Sequence, residues 1–500
     1  MRGKKALKNT VALMIKQLVT IISGFIVSRI IIVNYGSDTN GLISSITQFL
    51  AYISLLEVGI GPVIKAALYK PIAKKDKKEI EEILKSAERF FRKISYIFIV
   101  YIIVLCIVLP NIIQSDFNNI YIISLVVILS IVTFMEYFFG ITYTLYLQAE
   151  QRTYVSSYIQ VLTIILNSIA VVILANTNVN IQWLKFGSAI VLIFRPILQN
   201  IYVHRKFNIN LKGVDNDYKI PQKWYGMAQH IASIVHNNVG TVIITLFCHI
   251  SEVSVYSVYI YIISGIKNFI QAFSSGVEAS FGNMIANKEK DNLNIKFRVY
   301  ELIYFSLVTI IFACTIVLIL PFIGIYTKGV EDANYYRPVF SYIIVLGEYI
   351  YTLRLPYSML AFASGKFKEN QKWDWIEAII SLVISLILVE KFGISGVAIG
   401  IFISMLFRTI VYIVYTSKEI LFRKVSAGMR RLIVGIMQIL IISFVLQNII
   451  SLKMQSYFTW IVYAIIVGLI STVIIILINL IIDRKDVKKV VEIFKNMMKN

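Results

Sequence analysis

The hexapeptide IAKKDK, residues 72–77, returns as IANKEK at residues 285–290. Four of the six letters are identical, and Asp76 has its counterpart in Glu289. The two copies lie 213 residues apart in a chain of 500 residues. A match this short is weak by itself, so its meaning depends on where each copy falls in the predicted topology.

The composition indicates a membrane protein. Hydrophobic residues make up 58% of the chain and charged residues 15%, whereas about a quarter of a soluble globular protein is charged. Cys106, Cys248 and Cys314 lie inside apolar runs at spacings that fit neither a disulfide framework nor a metal site. We therefore expect a membrane protein without a metal or another cofactor.

Spanning helices need about 20 mostly apolar residues, and the chain offers fourteen such stretches separated by short loops. They cover residues 10–34, 40–64, 94–113, 120–146, 155–175, 182–203, 226–249, 254–277, 299–320, 337–361, 374–390, 394–416, 432–450 and 458–482. The longest polar insert, 65–93, contains KKEIEEILKSAERFF, which predicts a short amphipathic helix at the membrane surface.

The basic residues collect on one side of this topology. The loops and tails on the side of the two termini hold 38 of the 49 Lys and Arg residues, and the loops opposite hold Lys328, Lys391 and Lys453. The positive-inside rule places both termini in the cytoplasm of a bacterial cytoplasmic membrane. The net charge of +21 is thereby explained without a nucleic-acid partner.

The two hexapeptides follow predicted helices 2 and 8 on the same side of the membrane. A second echo follows helices 4 and 10, as LYLQAEQRTY and AFASGKFKENQKW. We predict a duplication of six helices with a substrate path between the halves. The predicted organisation is a six-helix lobe 1–203, a cytoplasmic linker 204–225, a six-helix lobe 226–416, helices 13 and 14 in 417–482, and a cytoplasmic tail 483–500.

Several enzyme motifs are missing. The sequence has no GxxxxGK[ST], no HExxH and no GxSxG, and its outer loops are short. We therefore expect a transporter rather than an enzyme, driven by H⁺ or Na⁺ or by the membrane potential.

Ionisable residues inside spans are costly unless they are paired or hydrated, so they mark the candidate site. They are Glu57, Glu136, Arg195, Lys267, Glu348 and Arg354. One hypothesis is structural pairing, with Glu136 neutralising Arg195 and Glu348 neutralising Lys267. The other is a cationic cavity for an anionic headgroup, because the guanidinium fork suits phosphate.

Lys16, Arg29, Lys185 and Arg408 lie nearer helix ends, where snorkelling to the interface is the favoured interpretation. Arg29 is retained as a headgroup candidate because the first helix of a repeat borders the predicted path. His236, Asn237 and Asn238 form a candidate polar wall in helix 7, or else hydrogen bonds between helices. Pro62 and Pro356 predict bends in helices 2 and 10.

Five stretches carry a family resemblance. They are YGSDTNGL (35–42), SLLEVGIG (54–61), LQAEQRTY (147–154), VYSVY (255–259) and ASGKFKENQ (363–371). Through them the chain resembles the Wzx-type polysaccharide-biosynthesis flippases of the multidrug/oligosaccharidyl-lipid/polysaccharide exporter (MOP) superfamily. The resemblance implies an all-α, MATE-like membrane protein of two lobes. It also implies movement of an undecaprenyl-diphosphate-linked oligosaccharide between leaflets for capsular or O-antigen-like polysaccharide.

The resemblance further implies a cationic cavity for the pyrophosphate, for which Arg29 and Lys267 are best placed, followed by Arg195 and Arg354. The expected partners are this lipid, membrane lipids, and the polysaccharide polymerase and chain-length machinery. Relatives often carry an acidic residue in helix 7, where this chain has HNN, so Glu57, Glu136 and Glu348 become the ion-coupling candidates. The alternatives are a cation-coupled multidrug exporter of the same fold, a membrane polysaccharide polymerase, and a structural or assembly subunit of the polysaccharide machinery.

Overall fold

The structure is a computed structural model that describes residues 2–57, 59–211, 213–214, 218, 238–287, 289–365, 367–449 and 456–497. Throughout these ranges the regular secondary structure is helical. The chain forms two compact units: unit 1 is Met1–Ile234 with Cys248–Ser254, and unit 2 is Val235–Phe247 with Val255–Asn500. The finer division into lobes, linker and tail stays a prediction.

Unit 1 is built from eight α-helices and two irregular turns of helix. The α-helices are α1 (Arg2–Tyr35), α2 (Ser37–Ala51), α3 (Ile60–Lys74), α4 (Lys77–Ile112), α5 (Asn119–Met135), α6 (Ile141–Ala149), α7 (Thr153–Asn176) and α8 (Ile181–Phe207). A 3₁₀ turn, Tyr52–Leu56, continues α2, and a π-helical turn, Glu136–Gly140, joins α5 to α6. Helix α1 packs against α7, α7 against α8, and α5 against both α4 and α8.

Unit 2 contains nine described helices. They are α9 (Asn238–Phe247), α10 (Ile250–Ala286, whose first turn belongs to unit 1), α11 (Lys290–Tyr326), α12 (Pro338–Leu353), α13 (Leu355–Ala363), α14 (Phe367–Glu419), α15 (Val425–Ile449), α16 (Tyr457–Ile482) and α17 (Arg484–Met497). Helix α11 is buried along most of its length and packs against α12, α15 and α16. It is therefore the centre of the unit.

Ten helices in the described residues are long and apolar enough to span a membrane, or eleven if the bent pair Ser37–Leu56 and Ile60–Lys74 is one span. Helix α14 covers two predicted spans, because Gly393 breaks it with a backbone (φ 53°, ψ −134°) that is not helical. The predicted span 337–361 is split into α12 and α13, and most of 226–249 lies outside the described residues. The chain is a multi-pass membrane protein, while the count of fourteen stays a prediction.

The polar insert differs from its prediction. KKEIEEILKSAERFF is not a separate surface helix but the first four turns of α4, which continues into the span without a break. Asp76 caps its start by accepting a hydrogen bond from the backbone N–H of Glu79 at 3.1 Å. Ile83, Leu84 and Phe91 are buried, so the apolar face of this segment packs on the protein rather than on lipid alone.

Candidate functional site

Three predicted spans are interrupted, and each interruption carries an ionisable residue. Glu57 follows the 3₁₀ turn at a bend of 50° between α2 and α3. Glu136 opens the π-helical turn between α5 and α6, and Arg354 separates α12 from α13. A broken helix leaves backbone groups unpaired and points side chains away from the regular faces, and such sites are often functional.

The two prolines expected to permit bends lie directly after two of these interruptions. Pro62 is in the first turn of α3, and Pro356 is in the first turn of α13. Proline is tolerated in a first turn because its missing N–H has no intrahelical partner there. The prolines therefore stabilise the starts of the second segments.

In unit 1, Glu136 and Arg195 form an ion pair between the π-helical turn and α8, with Arg195 Nη1 2.9 Å from Glu136 Oε1. About a third of each side chain is exposed. Gly140 makes the approach possible, because a Cβ there would lie 2.9 Å from the Cβ of Pro196. A small cavity of about 100 Å³ adjoins the pair and is lined by Thr144 and Gln199 as well.

Glu57 has a different kind of partner. The hydroxyl of Tyr137, in the π-helical turn, donates a hydrogen bond to its carboxylate. In the described part of the chain Glu57 has no cationic side chain within ion-pair distance, in contrast to Glu136. This carboxylate can therefore take up a proton or a cation without first giving up a salt bridge.

In unit 2, Lys267 of α10 pairs with Glu348 of α12, at 2.8 Å between Nζ and Oε2. The ammonium group also lies 4.4 Å from the ring centroid of Tyr351. Arg354 shares this ring from 4.2 Å and donates from Nη1 to Glu377 Oε1 at 2.6 Å. The structure thus brings two predicted headgroup residues, Lys267 and Arg354, to one tyrosine.

Arg408 does not snorkel to the interface as the sequence favoured. Its side chain is fully buried, donates to Asp374 Oδ1 from both Nε (2.9 Å) and Nη2 (2.5 Å), and lies 3.8 Å from the ring of Tyr412. A buried guanidinium needs a carboxylate partner, and Asp374 lies one helical segment away in α14. We therefore place Arg408 in a structural role.

The buried charges of this region balance. Lys267, Arg354 and Arg408 face Glu348, Glu377 and Asp374, so the three cations are matched by three carboxylates. Both ion pairs proposed from the sequence, Glu136–Arg195 and Glu348–Lys267, are present. An anionic ligand at these cations would have to displace a carboxylate.

The remaining candidates are placed as follows. Arg29 lies in α1 and is half-buried, in unit 1 together with Arg195. Asn238 begins α9 and is also partly buried, whereas His236 and Asn237 lie outside the described residues. The polar wall of helix 7 therefore stays a prediction.

The sequence analysis missed a second buried network, centred on Glu301 of α11. Arg423 donates to both Glu301 oxygens, at 2.9 and 2.6 Å, and Arg431 donates to Oε2 at 2.5 Å. The hydroxyl of Tyr357 also donates to Glu301, and Arg431 reaches Asp486 at 2.5 Å. This network joins α11, α13, α15 and α17, so the C-terminal helix is tied to the helix that follows the break at Arg354.

One signal could have identified Arg408 from the sequence. Arg195 and Arg408 are 213 residues apart, the same spacing as the two hexapeptides, and Glu136 and Glu348 are 212 residues apart. Both halves thus carry an arginine in the sixth predicted helix and a glutamate in the fourth. Glu377 and Glu301 have no such signal, because they lie near the ends of predicted spans.

Comparison with known proteins gives a fold but no family assignment by sequence. No protein-family model matches the chain, and no curated protein sequence does. Among solved structures, a lipid II flippase MurJ in an inward closed conformation superposes with a TM-score of 0.68 at 14% identity, covering 94% of this chain and 98% of that one. An inward-facing multidrug resistance MATE family transporter of the MOP superfamily gives 0.57 at 14% identity, covering 85% and 99%.

A third structure, a mutant of the Vibrio cholerae MATE transporter VcmN, gives a TM-score of 0.55 at 15% identity and covers 84% of this chain and 98% of that one. Each likeness spans nearly the whole of the other chain. The expectation of an all-α, MATE-like membrane fold is therefore confirmed: this chain has the fold of the MurJ flippase and of the MATE transporters of the MOP superfamily.

Proposed function

We propose that the chain is a flippase that carries undecaprenyl-diphosphate-linked oligosaccharide across the bacterial cytoplasmic membrane for surface polysaccharide synthesis, of the Wzx type. The single observation that carries this proposal is the likeness to a lipid II flippase over 94% of the chain at a TM-score of 0.68. The five stretches quoted above support a polysaccharide-linked substrate.

In this proposal the pyrophosphate meets cations by exchange. Lys267 and Arg354 are held by Glu348 and Glu377, so a phosphate oxygen would replace a carboxylate oxygen as the hydrogen-bond acceptor. Such an exchange conserves charge pairing and avoids leaving a buried cation alone, which would cost several kcal/mol. Arg29 and Arg195 would supply the cations in unit 1.

Both termini lie in the cytoplasm in this scheme, as the distribution of Lys and Arg favours. Alternating access of the two lobes would expose the headgroup to one side and then the other. Glu57 is the preferred H⁺ or Na⁺ coupling residue, because its partner is Tyr137 rather than a cation. The polymerase and chain-length machinery would act on the delivered lipid.

The second candidate function is a cation-coupled multidrug exporter, supported by the likeness to MATE transporters. An exporter of organic cations needs carboxylates that are available to its substrate. Glu136, Glu348 and Glu377 are each held by an arginine or lysine, which favours the flippase.

The test is deletion of the gene in its native strain. We expect lipid-linked oligosaccharide to accumulate in a form shielded from an external sugar-oxidising label, with loss of surface polysaccharide. Wild type should restore both, and Arg29→Ala or Lys267→Ala should not. Restoration by both variants would reject these site residues, and retention of a cationic dye without lipid accumulation would reject the flippase in favour of the exporter.

A further inference from the structure

A second described cavity of unit 1 lies away from the ion pairs. We call it the outer pocket, because it is formed by helix ends on the side that the charge distribution predicts to be outside. Its volume is about 630 Å³, within the range of about 300–1,000 Å³ that is usual for small-molecule sites. It is lined by Asn34, Tyr35, Thr39, Tyr121, Ala175 and the segment 178–183.

Four amide side chains line the outer pocket: Asn34, Asn178, Asn180 and Gln182. Within the described residues none of them has a side-chain hydrogen bond to the protein. Asn180 is the sharpest case, since it occupies the N-cap of α8 yet its side chain makes no capping bond, although asparagine is among the best N-caps. These amides keep their donors and acceptors available to a ligand.

The rest of the lining is aromatic and is held in place. Tyr35 donates to the carbonyl oxygen of Val179 at 2.8 Å, which fixes the loop that carries the asparagines. Tyr121 stacks on Phe117, with ring centroids 4.5 Å apart and planes 9° apart. Trp183 leaves 64% of its surface exposed beside the pocket. A preference of tryptophan for the membrane interface explains Trp183, but it does not explain the four amides.

No side chain lining the outer pocket carries a charge. A phosphate or another anion would find no lysine or arginine among these described lining residues, and an organic cation no carboxylate. The lining combines planar amides, hydroxyl groups and flat aromatic rings. This set matches a ligand with many hydroxyl or acetamido groups on one face and C–H groups on the other.

We propose that the outer pocket binds an uncharged saccharide, with the amides bonding its hydroxyl or acetamido groups and Trp183 contacting a ring face. The site is separate from the headgroup candidates and requires no transport step. A free glycan and the sugar part of a lipid-linked oligosaccharide present the same chemistry. Identification of the bound sugar as a delivered headgroup rests on the proposed function.

The test uses the purified full chain in lipid nanodiscs. The probes are the neutral trisaccharides maltotriose, cellotriose and N,N′,N″-triacetylchitotriose, with inorganic pyrophosphate as the anionic comparison. We expect at least one trisaccharide to bind with a Kd of about 1–10 mM or tighter. Asn180→Ala and Gln182→Ala should each weaken binding about fivefold to tenfold, and Trp183→Leu should do the same.

Asn111→Ala is the matched control, because Asn111 is an exposed asparagine near the end of α4 whose side chain donates to the carbonyl oxygen of Ile107. It should bind like wild type. As a second readout, Gln182→Cys should react with a membrane-impermeant maleimide, and the bound trisaccharide should slow that reaction. The native cysteines Cys106, Cys248 and Cys314 supply the background rate.

Absence of binding by all three trisaccharides would overturn the proposal, as would pocket variants that bind as tightly as wild type. Lipid-linked oligosaccharide that binds through the same amides identifies the delivered headgroup as the ligand. Binding of the free trisaccharide alone supports a glycan ligand. A failed flippase assay with intact saccharide binding would reject the proposed function and leave the outer pocket in place.

Discussion

Lys267 and Glu348 are joined at 2.8 Å between Nζ and Oε2, with 14% and 9% of their side chains exposed. The pair connects α10 to α12, and the same lysine contacts the face of Tyr351. A buried pair of this kind is costly to break, because removal of one partner leaves the other charge desolvated. The pair is therefore both a packing element and a headgroup candidate, and the two roles make different predictions.

Lys267→Met should destabilise the protein by about 3–5 kcal/mol, because Glu348 is left as an unpaired buried charge. The double variant Lys267→Met/Glu348→Met should recover most of that loss. Thermal unfolding of wild type, both single variants and the double variant gives the coupling energy between the two residues.

Transport by the double variant separates the two roles. If Lys267 contacts the pyrophosphate, the double variant is stable but inactive. A stable double variant with wild-type transport would assign Lys267 to packing alone. A double variant as unstable as Lys267→Met would contradict the interpretation of the two residues as an isolated pair.

Gly140→Ala should disturb the π-helical turn. The added Cβ would lie 2.9 Å from the Cβ of Pro196, so α6 or α8 must shift and Arg195 moves away from Glu136. We expect a loss of about 1–3 kcal/mol in unfolding free energy together with reduced transport.

Gly61→Ala is the control for this change, because its Cβ would lie an ordinary 3.4 Å from Leu145 Cδ2. Alanine is favoured over glycine in a helix, so this variant should be neutral or slightly more stable. Equal melting temperatures for the two alanine variants would show that the close approach at Gly140 does not matter.

Glu57→Gln should remove the dependence of transport on external pH if Glu57 couples a proton. Its partner is a tyrosine hydroxyl, so glutamine preserves a hydrogen bond while it removes the charge. Initial rates of headgroup movement in vesicles, measured across a pH range of about 5 to 8 in which enzymes tune buried carboxyl groups, provide the measurement.

Tyr137→Phe is the companion variant. It should keep a pH-dependent rate but shift its midpoint, because the hydrogen bond to the Glu57 carboxylate is lost. If Glu57→Gln retains the wild-type pH profile, another group couples transport to the proton.

Glu301→Gln should release the C-terminal helix. Arg423 and Arg431 both donate to this carboxylate, which is fully buried. We expect a loss of about 3–5 kcal/mol and faster proteolysis of α17. Glu492→Gln, an exposed glutamate in α17 itself, should change neither quantity. Unchanged protease resistance in Glu301→Gln would mean that α17 is held by its apolar contacts.

The sequence by itself determined the membrane environment and the helical class, and it predicted the repeat. Apolar length decides whether a segment can span a bilayer, and charge decides which loops stay inside, so both are legible without coordinates. The pairs Glu136–Arg195 and Glu348–Lys267 were foreseeable as well, because an intramembrane charge needs a partner and each of these residues has few candidates.

Only the tertiary structure decided the rest. The π-helical turn at Glu136 depends on how closely Gly140 meets Pro196, and hydropathy carries no information about that distance. The burial of Arg408, the network around Glu301 and the outer pocket each join residues far apart in the chain. Such contacts depend on helix rotation and depth, which differ by a fraction of a turn between a side chain that faces lipid and one that faces a partner.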